Sequence, residues 1–174
     1  NERLSLEVTD EEIEKYYEEK YENFLLKQNI VKCIFAKIPE DAPDIRKFRR
    51  SLRRYPESEF EDIKTYCLQF ANKYSLEDST WINFDDIIQN THLAGIPNKI
   101  QFLKSNKFVE STNEGFIYFL KILEYKISEE VSPLSFIKSD IKNIIVNKRK
   151  VTIKKNLEEE IFNEARSKNE FEIY

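Results

Sequence analysis

Asn29-Ile30-Val31-Lys32-Cys33-Ile34-Phe35-Ala36-Lys37-Ile38 is the stretch on which the fold turns. β-Branched and aromatic residues dominate it and Pro39 stops it, which are the composition and the boundary of a strand. Its apolarity is nearly continuous instead of alternating, and that predicts a central position in a sheet. Pro39 to Pro43 reads as a turn.

The other β signals lie C-terminal to it. Phe116-Ile117-Tyr118-Phe119-Leu120-Lys121-Ile122 is a second buried-looking run within Gly115 to Tyr125. Lys107 to Glu110 precedes it across a polar five-residue stretch that ends in Gly115, so the pair predicts a hairpin. Ser79 to Phe84 is short and β-prone, and it holds the only tryptophan, Trp81. The ending Phe171-Glu172-Ile173-Tyr174 is also β-like.

Helical periodicity surrounds these strands. Thr9-Asp10-Glu11-Glu12 is a capping box, with a hydroxyl N-cap and a glutamate three residues on. Ile13, Tyr17, Tyr21 and Phe24 then follow at helical spacing, predicting a helix over about 10–25 whose other face carries Glu11, Glu14, Glu18, Glu19 and Glu22. A helix over about 44–54 bears Ile45, Phe48 and Leu52 on one side. Arg46, Lys47, Arg49, Arg50, Arg53 and Arg54 crowd the rest of it. Those bases read either as a docking patch for an anionic partner or as a solvated face balancing the acidic first helix. Ser58-Glu59-Phe60-Glu61 is a second capping box, and Phe60, Ile63, Cys67, Phe70, Ala71 and Tyr74 predict a helix over about 59–74. Residues 85–100 read as irregular or weakly helical, and a short helix is expected over Asn98 to Ser105. Ser132-Pro133 begins the last element with a hydroxyl N-cap and proline at the first helical position. No glycine or proline follows up to about Ser167. Its apolar stripe runs through Leu134, Ile137, Ile141, Ile144, Ile145, Val151, Leu157, Ile161 and Ala165. A helix of that length needs a packing partner, and the helix at 10–25 is the candidate.

The fold class that follows is α+β: a mainly antiparallel sheet with helices, bracketed by an N-terminal helix and a long C-terminal helix. Residues 1–28 and 127–174 form a helical module on this reading, and 29–126 an α+β domain.

Composition removes several function classes. The chain has 174 residues, of which 28 are Lys or Arg and 32 are Asp or Glu, a net charge of −4. That balance argues against general nucleic-acid binding. Two glycines cannot build a glycine-rich phosphate loop, and two cysteines with one histidine cannot supply a Cys/His zinc cage. No cofactor and no metal is expected. No apolar run approaches the ~20 residues that cross a bilayer. Methionine is absent even at position 1, which predicts a processed or excised chain and leaves room for a membrane tether upstream of Asn1. Cys33 and Cys67 permit one disulfide or two buried thiols.

Several strings, in order, resemble the parvulin-type peptidyl-prolyl isomerase domains of SurA- and PrsA-like cell-envelope chaperones. Val8-Thr9-Asp10-Glu11-Glu12-Ile13-Glu14-Lys15-Tyr16-Tyr17 with Phe24 is similar to that family's first helix, and Val31 to Ala36 to its first strand. Phe70-Ala71-Asn72-Lys73-Tyr74-Ser75 with Asp78, Phe116 to Ile122, and Phe136 to Ile145 with Arg149, Leu157, Ala165 and the closing Phe171 to Tyr174 continue the likeness over nearly the whole chain. The resemblance implies a parvulin-like domain on a helical chaperone module, binding unfolded or extended client polypeptides in the periplasm or cell envelope.

The family's two histidines fall on Cys33 and Tyr118. Its glycine turn is replaced by Trp81-Ile82-Asn83-Phe84, and the one histidine, His92, lies in a loop without a family role. Phe35, Trp81, Ile100 and Phe102 are the binding candidates that remain. Prolyl isomerisation must lower a barrier of ~18–20 kcal/mol with an apolar proline pocket and hydrogen bonds to the twisted amide. A chain without both histidines is expected to bind without efficient catalysis. The alternatives are an active isomerase rebuilt around Cys33 and Tyr118, facing each other on adjacent strands, or a scaffold docking an anionic partner through its basic helix.

Overall fold

The structure is a computed structural model that describes residues 6–89 and 91–167, with the side chain of His92 outside the description. The expected strand at Phe171 to Tyr174 lies outside the described residues. The chain divides into two compact units: Asn1–Phe24 with Ser132–Tyr174, and Leu25–Val131.

The second unit is built on β1 (Ile30–Pro39), the strand with the near-continuous apolar sequence. It pairs antiparallel over ten residues with β5 (Phe116–Lys126), from Ile30 against Lys126 to Pro39 against Phe116, with one irregularity between Lys32 and Cys33. β4 (Phe108–Asn113) pairs antiparallel with the other side of β5. Two short segments cover the second edge of β1: β2 (Lys73–Ser75) lies against Phe35 to Lys37, and β3 (Ile82–Asn83) against Ile30 and Val31. The result is a five-stranded antiparallel sheet in an α+β fold.

The sheet is buried on both faces, as the apolar runs require. One face carries Val31, Cys33, Phe35, Tyr118, Leu120 and Ile122, covered by Phe84 and Ile88 of α4 (Phe84–Ile88), by Leu93, and by Leu103 of α5 (Lys99–Ser105). The other carries Ile34, Ala36, Ile38, Ile117 and Phe119. It is covered by Phe48 and Leu52 of α2 (Ile45–Arg54) and by Ile63 and Cys67 of α3 (Phe60–Phe70). The Phe48 ring meets Phe119 edge-on at 5.4 Å and stacks on Tyr66 at 4.6 Å.

The structure corrects the sequence expectations at three places in this unit. The helix predicted to Tyr74 stops at Phe70, and Asn72 N–H donates to Lys37 O at 2.8 Å as the chain turns into β2. The helical spacing of Ala71 and Tyr74 yields there to the hydrogen-bonding groups of β1, which need partners on this edge as well. The second capping box does not form: Glu59 is the N-cap without a side-chain bond, and Ser58 Oγ donates to Ser51 O at 2.6 Å. In the hairpin, Ser111, Thr112 and Asn113 join the ladder, so the turn is the two residues Glu114 and Gly115. Both have positive φ, 52° and 77°, the handedness that matches the twist of paired strands and that glycine adopts without strain.

In the first unit, α1 (Asp10–Lys20) carries the predicted capping box, with Thr9 Oγ1 accepting from Glu12 N–H and Thr9 N–H donating to Glu12. Its acidic face is exposed, as a solvated face should be. α1 packs against α6 (Leu134–Ser167), as the two stripes predict. Ile13 and Ile141 are buried. Lys138 pairs with Asp10 at 2.7 Å, Arg149 pairs with Glu12, and Lys148 stands 4.6 Å over the Tyr16 ring. The hydrogen bond from the Thr9 backbone, opposed in part by desolvation and helped by Arg149, holds the Glu12 carboxyl below its ordinary range. The expected hydroxyl cap on α6 is absent: helical residues start at Leu134, and Ser132 Oγ is buried without a hydrogen-bond partner, while Tyr17 OH donates to the Ser132 carbonyl at 2.7 Å.

The basic helix is not uniformly a solvated face. Arg49 is half-buried and donates from Nε and Nη2 to both Glu110 oxygens at 2.7 and 2.6 Å, tying α2 to β4. A bidentate pair of this kind is worth more than a loose surface contact. Arg49→Glu sets two carboxylates against each other and is expected to lower stability by about 1–3 kcal/mol. Arg50→Glu and Arg54→Glu, at exposed positions, should change it by less than about 0.5 kcal/mol. Urea unfolding of the three single variants checks the contrast, and equal effects would place Arg49 with the solvated bases.

Candidate functional site

Cys33 and Tyr118 lie on one face of the sheet and in one packed cluster, and the register keeps them apart. Cys33 is paired with Ile122, and Tyr118 with Lys37 on one side and Ser111 on the other. Four residues of strand separate the two pairs, about 13 Å at ~3.3 Å per residue. The expectation that they face each other across adjacent strands is therefore corrected. The pairing that fills both cores sets Phe35 against Leu120 and slides Tyr118 toward the hairpin end. Both side chains are buried, Cys33 fully and Tyr118 to 5% exposure, and the Tyr118 ring lies 6.4 Å from that of Phe35. Lys37 extends over the neighbouring rings, 4.2 Å from Phe116 and 5.3 Å from Tyr118.

The four binding candidates do not gather into one lining. Phe35 is buried, and the half-buried Phe102 packs against the same cluster, stacked on Phe84 at 5.9 Å. Trp81 lies under the Lys32 ammonium at 4.8 Å, and Lys32 reaches on to Glu124 at 2.9 Å. Ile100 lines a shallow depression with Ala94, Gly95 and Pro97. Phe35 and Phe102 thus serve as core around Cys33 and Tyr118, while Trp81 and Ile100 are half-buried on different segments.

The thiols are apolar filling. Cys33 belongs to one face of the sheet and Cys67 to the other, so the disulfide alternative is resolved in favour of two free, buried thiols. Burial pushes each up to about 12. The thiolate is the nucleophilic form of cysteine, so neither residue is set up for covalent chemistry near neutral pH. Among the described residues no group of three or more His, Cys, Asp or Glu side chains could hold a metal ion. No described helix is long and apolar enough to cross a membrane.

Two surface features remain. Arg46, Lys47, Arg50, Arg53 and Arg54 are exposed along α2, with Arg53 resting 4.8 Å from the Phe108 ring. The second lies on α6. Its stripe divides at about Arg149, which pairs with Glu12 of α1. Beyond that point Val151, Ile153, Leu157, Ile161 and Phe162 are 68, 38, 52, 58 and 54% exposed. The sequence reading counted three of these as packing residues and missed Ile153 and Phe162. The signal available was length, because 34 helical residues outrun the 11 of α1 by a factor of three.

Comparison with known proteins yields no match: no family model, no curated protein and no solved structure matches this chain.

The buried thiols generate a pH test. In the folded chain they keep their protons to about pH 12, whereas an unfolded cysteine ionises near 8.5. Their contribution to stability is complete below about pH 8.5 and is lost as the pH climbs toward the folded value. Urea midpoints are expected to fall between about pH 8.5 and 11, less so in a Cys33→Val, Cys67→Val chain. Both thiols should resist iodoacetamide in the folded protein at pH 8 and react in denaturant. Rapid labelling of Cys33 in the folded chain would mean an open, reactive site.

Proposed function

We propose that this chain is a polypeptide-binding module of chaperone type, without efficient prolyl isomerisation, that takes unfolded or extended client segments. The observation that carries the reading is the outer half of α6, where five large apolar side chains stand exposed within twelve residues. Ile153, Leu157 and Ile161 form a row along one face of the helix, a surface for apolar segments of another chain. The resemblance to parvulin-type envelope chaperones supports the same role and suggests the bacterial periplasm or cell envelope as its place. The separation and burial of Cys33 and Tyr118 speak against the rebuilt isomerase, since these two side chains do not converge on one amide.

A second reading has an observation of its own. Five exposed bases along α2 form a surface that an anionic partner would favour. It predicts binding to acidic vesicles or polyanions that weakens steeply with salt.

The full chain is expected to suppress aggregation of an unfolding client protein. Ile153→Ser, Leu157→Ser and Ile161→Ser combined should abolish most of that suppression and leave the urea midpoint nearly unchanged, because these side chains are already exposed. Cis/trans exchange of an X-Pro peptide should stay within about tenfold of the uncatalysed rate, a barrier change below ~1.4 kcal/mol. Full suppression by the triple variant would remove α6 from the reading. A rate far above the bound, lost in Cys33→Ala or Tyr118→Phe, would restore the isomerase.

A further inference from the structure

We infer that the outer half of α6 is also a self-association surface, on which two copies of the chain pair antiparallel with Leu157 at the centre. Ile153, Leu157 and Ile161 follow at four-residue spacing, so they share one face of the helix. All three are exposed. The charges around them are ordered. Residues 150–155 contain Lys150, Lys154 and Lys155 and no acid, whereas 158–160 are Glu158, Glu159 and Glu160. A parallel pair would set base against base and acid against acid. An antiparallel pair sets each block against its opposite.

The register follows from the spacing. Ile153 and Ile161 stand four residues on either side of Leu157, about one turn away and within about 40° of its direction. With Leu157 against its own copy, Ile153 meets Ile161 and Lys154 lies beside Glu158. The Lys154–Glu158 and Lys155–Glu159 pairs along the helix are exposed contacts of 3.7 and 3.8 Å, worth little by themselves, so these charges are available to a partner. The arrangement is a closed two-fold contact, in which one patch is complementary to itself. It also opposes the two helix dipoles.

This pairing deepens the client-binding reading, and its regulatory meaning rests on it: the second copy covers the row that clients would take. An interface of one short helix from each copy falls at the small end of known sizes, below about 1,200 Å², so the pair should exchange readily with clients.

Sedimentation equilibrium of the full chain, from micromolar to millimolar concentration, is expected to show a reversible monomer–dimer equilibrium. Two charge-reversed chains test the order of charges: Lys154→Glu, Lys155→Glu in one, and Glu158→Lys, Glu160→Lys in the other. Each alone should be at least tenfold weaker in self-association than the parent, and an equimolar mixture should recover the dimer. Leu157→Cys should oxidise to a covalent dimer, whereas Ile153→Cys should do so only when mixed with Ile161→Cys. A monomeric parent chain, reversed chains as dimeric as the parent, or crosslinking of Ile153→Cys to itself would overturn the proposal. Client suppression is read on the same reversed chains. If they are monomeric and still suppress aggregation, both readings stand; if they are monomeric and inactive, the pairing stands and the client reading falls.

Discussion

The ten-residue antiparallel ladder between β1 and β5 is the constraint on which the rest of this chain depends. Each strand is apolar on both faces, so their alignment decides the two cores at once. With Phe35 against Leu120 and Cys33 against Ile122, one face collects the residues that α4 and α5 cover. The intervening residues form the face that α2 and α3 cover. A slip of one residue would send each side chain to the wrong core. The two-residue turn at Glu114 and Gly115 and the short pieces β2 and β3 hold that register from its ends and edge.

The same ladder bears on chemistry. A strand pair that must fill a core on each side has little freedom to bring chosen side chains together, and here it holds Cys33 and Tyr118 four residues apart. Packing dominates that face, with the Cys33 thiol as apolar volume. Exposed character lies elsewhere, in the bases of α2 and in the outer half of α6. Both surfaces are of a kind that binds other molecules, with apolar area in one case and positive charge in the other.

Much of this was legible in the residues, and the failures share a cause. The central strand, the capped first helix, the short helix begun at Asn98 and the contact between the two terminal helices all follow from local patterns. Where the reading failed, a non-local demand outweighed a local one. Ala71 and Tyr74 continue a helical stripe, but the open edge of β1 takes the chain as β2. Ser58 fits a capping box, but its hydroxyl is drawn to Ser51. Ser111 to Asn113 look like a polar turn, but pairing with β5 extends the strand through them. Facing of Cys33 and Tyr118 was a matter of register, which no single strand's sequence contains. On α6 the stripe was visible and its fate was not, since periodicity reports an apolar face and not what covers it.

We propose that polypeptide binding lies on the outer half of α6 and not on the buried cluster around Cys33 and Tyr118. Amide hydrogen exchange of the full chain, with and without a reduced, unfolded client protein, tests that most directly. Helical amides within residues 150–167 are expected to gain protection when client is added, with those of β1 and β5 unchanged. Protection gained instead across residues 81–103, with α6 unaffected, would contradict it and return the binding site to the position that the family resemblance first suggested.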